Sequence, residues 1–365
     1  MIKKQVIRVV GFALAMLCMF CFLSDVFENG SNRTNTYKVR TYYSLEKDTL
    51  DVAFLGTSGI DRYWLAAKAY EEKGIASYAF GVNGYPTWLM LPMIKEFVRS
   101  HDTLKLLVVD MRAFTASYSG ADKGRYDTRA RTLIDALPFF SVARLGVIDK
   151  TLEVISENVE GEDRFDLSYF FTFINYHSRW SEEDFDIYQE VEYKTSPYMG
   201  AFIHKSLSIR PSPKEVTTFV TDERMDLDPV CLADLYELFD YFEDQDFEVL
   251  FLNTPHEQSE RDTKRLNKMC DILTEKGYNY LYCDLDEKMY DLDKDFYNPD
   301  HVNYYGSEKF TAWLMEYFEG RYEFPDRRGD DKYYQWEGTY DNVKKTIAKW
   351  EAEKAAKAAK AAKAS

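Results

Sequence analysis

The chain has 365 residues, of which 45% are hydrophobic and 16% aromatic, and it carries a formal net charge of -16. So much apolar surface supports a real core in one large domain, or in one domain with an insertion, and excludes disorder throughout. The acidic excess excludes an ordinary nucleic-acid partner, because such binding rests on cationic side chains that displace counterions from phosphates.

Lys3, Lys4 and Arg8 precede an uncharged stretch from Val9 to Leu23. That stretch alone is shorter than the about 20 residues needed to cross ~30 Å of hydrocarbon, but Val6 to Phe27 suffices if Arg8 snorkels to the headgroups. The basic residues ahead of it predict a cytoplasmic N-terminus and an extracytoplasmic body. No small-x-small pattern follows Leu23, so a signal-anchor at 1–27 is favoured over a cleaved signal peptide. Of the five cysteines, Cys18 and Cys21 fall in this span, and Cys231, Cys270 and Cys283 are scattered beyond it. They offer no disulfide framework and no metal-ligand spacing, so neither a metal nor a cofactor is expected.

A polar linker, 28–48, leads to the body of the chain at 49–325. Leu50 to Leu55 is a short apolar run stopped by Gly56, the pattern of a buried parallel strand. Asp61 to Lys73 is helix-compatible and stops at Gly74. Ile75 to Phe80 reads as a second strand, Pro86 to Arg99 as a second helix with proline in its first turn, and Leu104 to Val109 as a third strand. This alternation predicts an α/β fold with a parallel sheet covered on both faces. From about 113 to 222 the rhythm breaks into aromatic and polar segments, read as an inserted cap. It resumes with a helix at Asp228–Glu243, a strand at Glu248–Leu252, a helix at Ser259–Lys276, a strand at Tyr278–Cys283 and a closing helix at Ser307–Glu319. The extension 326–365 ends in Lys-Ala-Ala repeats at Lys354, Lys357, Lys360 and Lys363, read as a solvated helix or, alternatively, as a tether to an anionic polymer or surface.

Two places carry the chemistry. The turn Gly56-Thr57-Ser58-Gly59 directly follows the first strand, at the carboxyl edge where α/β sheets place ligands. Taken alone, a serine there reads first as a helix N-cap and only second as a nucleophile at a helix mouth that favours a developing oxyanion. Near the other end, Tyr297-Asn298-Pro299-Asp300-His301-Val302-Asn303 is a loop with Asn-Pro turn chemistry ahead of the last helix. A serine hydroxyl needs an imidazole to take its proton, and a loop histidine over the first turn would supply it. His256, after the strand ending at Leu252, is the second choice.

With these residues in view, the chain resembles the SGNH/GDSL hydrolase superfamily, in particular its membrane-anchored bacterial branch, which includes the D-alanyl transfer proteins of teichoic acid and the alginate acetylation proteins. The likeness rests on Asp51 to Ser58, Phe80 to Gly84, Tyr176 to Trp180 and Asp300 to Gly306. It implies a flavodoxin-like three-layer α/β/α sandwich preceded by one transmembrane helix. It also implies Ser58 as nucleophile, the amides of Ser58 and Gly84 as oxyanion donors, and His301 as general base. Members of the branch commonly act beside a membrane-bound O-acyltransferase on surface glycans, which makes a cell-surface glycan or teichoic-acid-like polymer the expected partner. This sequence departs from the family pattern in several places. Asn298 stands where the family's acid lies, leaving Asn298 and Asp300 as candidates to orient His301, with Asp295 further back. Gly59 follows the serine, and Val109-Asp110-Met111-Arg112 replaces the family's third block. Asn83 is either a side-chain oxyanion donor or a turn former. In the cap, His177, Arg179 and Trp180 suit an acceptor sugar or phosphate, or form a packed turn. The expected activity is acyl transfer to or from a surface glycan through an ester on Ser58; the alternatives are an extracellular esterase and a silent, glycan-binding or partner-binding member.

Overall fold

The computed structural model describes residues 2–27, 32–182, 194–205, 207–209, 218–283 and 289–364. Its centre is a five-stranded parallel sheet of order β2-β1-β3-β4-β5, formed by β1 (Val52–Gly56), β2 (Ser77–Gly81), β3 (Leu106–Asp110), β4 (Glu248–Asn253) and β5 (Asn279–Tyr282). Every residue of β1, β2 and β3 is buried, so both faces of the sheet are covered there. The continuous apolar runs that signalled strands in the sequence are the consequence. The order reverses between β1 and β3, and the carboxyl ends of these two strands diverge to leave the crevice in which such sheets seat ligands.

The helix after β1 is interrupted. A single turn, α3 (Ser58–Asp61), is followed by a bend at Tyr63, Trp64 and Leu65, and then by α4 (Ala66–Lys73), where the sequence suggests one helix over Asp61–Lys73. Trp64 turns inward instead, stacking on Phe54 with ring centroids 4.5 Å apart and donating from Nε1 to Ser77 Oγ at 3.0 Å. The helix α5 (Met90–Ser100) follows β2.

N-terminal to the sheet, α1 (Ile2–Val26) contains a 22-residue segment, Lys3–Ser24, whose most apolar 18 residues have a mean hydropathy of 2.5 and which is long and apolar enough to cross a membrane. The stretch read as a polar linker is in part a docked helix, α2 (Arg33–Tyr43). Its polarity misleads because its buried polar groups are partnered. The Lys38 ammonium donates to the Asp61 carboxylate and, at 2.6 Å, to the Gly81 carbonyl. Tyr42 packs edge-on against Tyr78, Phe80 and Phe97.

The interval read as a cap is mainly helical up to Ser181. Its regular elements are α6 (Lys123–Ile134), α7 (Val142–Asn158) and two single turns, α8 (Leu167–Phe170) and α9 (Phe173–Tyr176), while its described residues from 194 onward are turns and coil. The core then resumes with α10 (Pro229–Phe242) before β4, and α11 (Glu260–Lys276) between β4 and β5. Beyond β5 come a turn, α12 (Leu292–Asp295), the hairpin β6 (Phe296–Asn298) and β7 (His301–Val302), and α13 (Tyr304–Phe318).

The C-terminal extension belongs to the body. Arg327 grips the fully buried Asp51 through two bonds of 2.7 and 3.0 Å, and Trp336, 1% exposed, donates to the Ser77 carbonyl at 3.1 Å. The last helix, α14 (Thr339–Ala364), packs Val343 and Ile347 against Ala67 and Ile209, whereas the lysine-alanine repeats themselves lie in solvent almost throughout.

Candidate active site

The site assembles at the switch point. The β1 strand delivers its last residue, Gly56, so close to β3 that a Cβ there would lie 2.1 Å from Asp110 Cβ, and only glycine allows that approach. Asp110, fully buried at the end of β3, accepts from the Thr57 amide at 2.8 Å, from the Thr57 hydroxyl, and from the Arg112 amide at 3.0 Å. Burial pushes its carboxyl above the usual range while these donors pull it back. Thr57 in turn caps α3, its hydroxyl accepting from the Gly59 amide at 3.1 Å. The N-cap role considered for Ser58 is thus filled by Thr57, and the Ser58 hydroxyl points elsewhere.

It points at His301. Ser58 Oγ lies 2.7 Å from His301 Nε2, although 243 positions separate the two in the chain. The helix α13 makes this meeting possible by packing on the segment after α3. Phe310 meets the Tyr63 ring edge-on at 5.4 Å, and Thr311 Oγ1 accepts from the Leu65 amide at 2.9 Å. Tyr63 then donates to the Pro255 carbonyl and, at 3.3 Å, to the Asp300 carbonyl, tying the loop after β4 to the histidine hairpin. At the start of α13, Asn303 caps the helix by accepting from the Tyr305 and Gly306 amides.

The hairpin decides which neighbour orients the imidazole. Asn298 and His301 pair directly across a two-residue turn made by Pro299 and Asp300. Asn298 Oδ1 accepts from the Asp300 amide at 3.0 Å and lies 3.0 Å from His301 Nδ1. An oxygen that already faces an N–H donor is an acceptor, so Nδ1 carries the proton and Nε2 presents its lone pair to the Ser58 hydroxyl. Of the two candidates to orient His301, Asp300 is corrected: at the tip of the turn its half-exposed carboxylate faces Arg112, 3.3 Å away, and not the ring. Asp295 is also occupied, holding Lys309 at 2.6 Å and the Asp291 amide at 2.6 Å.

Among the described residues His301 therefore has no carboxylate partner, and it has arginines beside it. Burial, then the Arg62 and Arg112 guanidinium groups and His256, lower its pKa to about 2. The Tyr297 ring stacks on it at 5.5 Å and 7°. Arg62 lies over the Phe202 ring at 4.2 Å and donates to Asn83 Oδ1 at 3.0 Å. Because guanidinium only donates, this contact fixes the amide of Asn83 with Nδ2 as its donor end. Gly84 has a φ of 63°, and a Cβ on it would lie 1.7 Å from a guanidinium nitrogen of Arg129. Among the described residues no acceptor takes the backbone amides of Ser58 or Gly84.

His256, the second choice for the base, is buried beside the site with Nδ1 held 2.7 Å from the Thr254 carbonyl, and burial with the Arg112 charge lowers its pKa to about 3. His177, Arg179 and Trp180 are not brought to Ser58 by any described contact. They form a single exposed turn in the cap, where His177 Nδ1 meets the Ile174 carbonyl at 3.1 Å and Arg179 pairs with Glu182. Reasoning from sequence missed Asp110, Arg62 and Arg112. Asp110 and Arg112 had a visible signal, since both immediately follow the third apolar run at the carboxyl edge.

A scan against protein-family models finds no match for this chain, and a search of curated proteins finds none either.

Proposed function

We propose that this chain is a serine acyl-transfer enzyme of the SGNH type, built as a flavodoxin-like three-layer sandwich, anchored by α1 and working outside the cytoplasm on a cell-surface glycan. The observation that carries the reading is the 2.7 Å approach of Ser58 Oγ to His301 Nε2 at the switch point of a parallel sheet. In the first half-reaction Nε2 takes the hydroxyl proton as Ser58 Oγ attacks the carbonyl carbon of an acyl ester. The tetrahedral oxyanion is met by the amides of Ser58 and Gly84 and by Asn83 Nδ2, and its collapse expels the donor's alkoxide, which leaves with the proton from His301. In the second half-reaction a glycan hydroxyl gives its proton to Nε2, attacks the Ser58 ester, and Ser58 recovers the proton. The basic residues Lys3, Lys4 and Arg8 in the first turns of α1 support the assigned orientation, and a membrane-bound O-acyltransferase is the donor partner this scheme implies.

A second reading is favoured by one observation, the amide in place of a carboxylate at His301: a silent member of the fold that binds a glycan without chemistry. A fluorophosphonate probe separates the two. Wild-type protein should take up one label, Ser58→Ala none, and His301→Ala should label roughly a thousandfold more slowly. Folded wild-type protein that stays unlabelled would give the lead to the binding reading. Transferase and esterase differ in whether sugar hydroxyls or water consume the acyl-enzyme faster.

A further inference from the structure

Among the described residues outside α1, thirteen large hydrophobic side chains are exposed, and seven of them fall between Phe140 and Trp180 in the cap. One of them, Phe140, ends a chain of ring contacts that reaches α1. Phe20 of α1 packs against Phe171 at 5.1 Å and Phe173 at 5.4 Å, Phe171 meets Phe139 at 5.8 Å, and Phe139 meets Phe140 at 4.9 Å. Thr172 Oγ1 donates to the Ser24 carbonyl at 3.1 Å, fixing this cluster to the end of the apolar segment. Phe140 is 74% exposed, and Trp180, 70% exposed, lies in the turn His177–Ser181 that directly follows the Phe173 turn α9.

Depth follows from helix geometry. Phe20 lies four residues before Ser24, where the apolar segment ends. At ~1.5 Å per residue that is about 6 Å inside the segment. A 22-residue segment is about as long as the hydrocarbon is thick. Any side chain touching Phe20 then sits at the depth where interfacial groups bury their apolar faces, roughly 5–10 Å into the headgroup and acyl boundary.

We infer that the aromatic edge of the cap around Phe139, Phe140, Phe171, Phe173 and Trp180 lies in the membrane interface beside α1, so that the protein holds the bilayer by a span and a surface patch together. The occupant of this apolar face is lipid, because the face is continuous with the segment that crosses the lipid. A lone span lets the body swivel, whereas a second contact fixes its orientation. The cap also reaches the catalytic loop, where Arg129 of α6 donates to the Gly84 carbonyl at 3.3 Å. The inference rests on α1 being a membrane span and is independent of the acyl-transfer reading.

The test uses the full chain in phosphatidylcholine vesicles carrying bromine on the acyl chains near the headgroups. The fluorescence component lost in Trp180→Phe should be quenched at least twofold by brominated lipid. Phe140→Trp should add a component quenched as strongly. Tyr334→Trp should add an unquenched one, since this exposed residue neighbours Gln335, which is bonded to Ser44 at the far end of α2. If the chain floats with vesicles while the Trp180 and Phe140→Trp components stay unquenched, the cap stands clear of the bilayer and the inference fails. Failure to float overturns it too, by removing the span. All three substitutions are at exposed positions, so loss of folding is not expected to obscure the outcome.

Discussion

Behind Ser58 stands a fully buried carboxylate, Asp110, that takes three hydrogen bonds from Thr57 and Arg112; behind His301 stands a neutral amide, Asn298. The two halves of the candidate site are braced by opposite chemistry. On the serine side the carboxylate faces only donors, so its charge serves to lock a turn. On the histidine side the adjacent carboxylate, Asp300, is turned to Arg112, and Asn298 holds the ring in the right tautomer without helping it to become a cation. Geometry and electrostatics are thus separable here: Asn298 provides orientation, and among the described residues no carboxylate at the ring provides charge stabilisation.

The largest effect should come from removing the carboxylate behind the serine. Asp110→Ala leaves two amides and a hydroxyl without an acceptor in a buried place, at a cost of about 3 kcal/mol, since each orphaned donor costs roughly 1–3 kcal/mol. Thermal unfolding should report that loss, and fluorophosphonate labelling of Ser58 should fall with the displaced turn even at temperatures where the variant stays folded. A variant that keeps both stability and labelling would show that Asp110 braces nothing. Next in size is Asn298→Asp. Elsewhere, replacing the triad carboxylate by an amide costs about 10⁴, largely through the wrong tautomer. Here the Asp300 amide already fixes the tautomer, so restoring charge should accelerate labelling by a smaller factor, roughly 10- to 100-fold. No acceleration would mean that the imidazolium is not formed in the slow step.

Smaller still is the effect of Arg112→Gln. It takes one cation from beside His301 and releases Asp300, and both changes raise the histidine's proton affinity. The guanidinium also holds the Asp300 carbonyl at 3.0 Å, so some looseness in the hairpin offsets the gain. A rate increase of about threefold is expected, one partly screened charge being worth roughly half a pKa unit. The double variant with Asn298→Asp should be less than multiplicative, because both changes act on the same ring.

The sheet was largely legible because β1, β2 and β3 are buried on both faces, which forces unbroken apolar runs that survive as a one-dimensional signal. Ser58 and His301 were legible through turn chemistry: Gly56 and Pro299 mark where the chain must bend at the sheet's edge. What stayed hidden were partnerships. Lys38, Asn35 and Thr36 of α2 are buried polar residues, and a periodicity of hydrophobicity has no way to register a lysine whose partner, Asp61, is met only in space. The docked face of the C-terminal helix, Val343 and Ile347, was diluted by the lysines between and beyond them. The orienting role of Asn298 over Asp300 depended on a hairpin register, where a shift of one residue exchanges which side chain meets the ring.

The smallest expected change is in the pH profile of the wild-type protein, and it tests the histidine half directly. A histidine with a carboxylate partner gains proton affinity, so its loss of base function shows as an acid limb near or above pH 6.5. His301 is shifted the other way, to about 2, by burial and by Arg62 and Arg112. Labelling at Ser58 should therefore hold steady from pH 8 to about 5.5, while Asn298→Asp should introduce an acid limb inside that window. Stability sets the lower bound. The pKa of His101 is depressed to about 4 and that of His256 to about 3, both chiefly by burial. Each stays neutral in the folded chain while its unfolded counterpart takes a proton near pH 6.5. Their contribution is complete above that value and is lost as pH falls towards 4 and 3, by up to roughly 1.4 kcal/mol per pH unit for each. Unfolding midpoints measured between pH 7 and 4 should drop while the labelling rate of the still-folded protein does not. A labelling rate that halves near pH 6.5 with unchanged stability would mean that His301 has a carboxylate partner in solution, and the contrast between the two halves of the site would be lost.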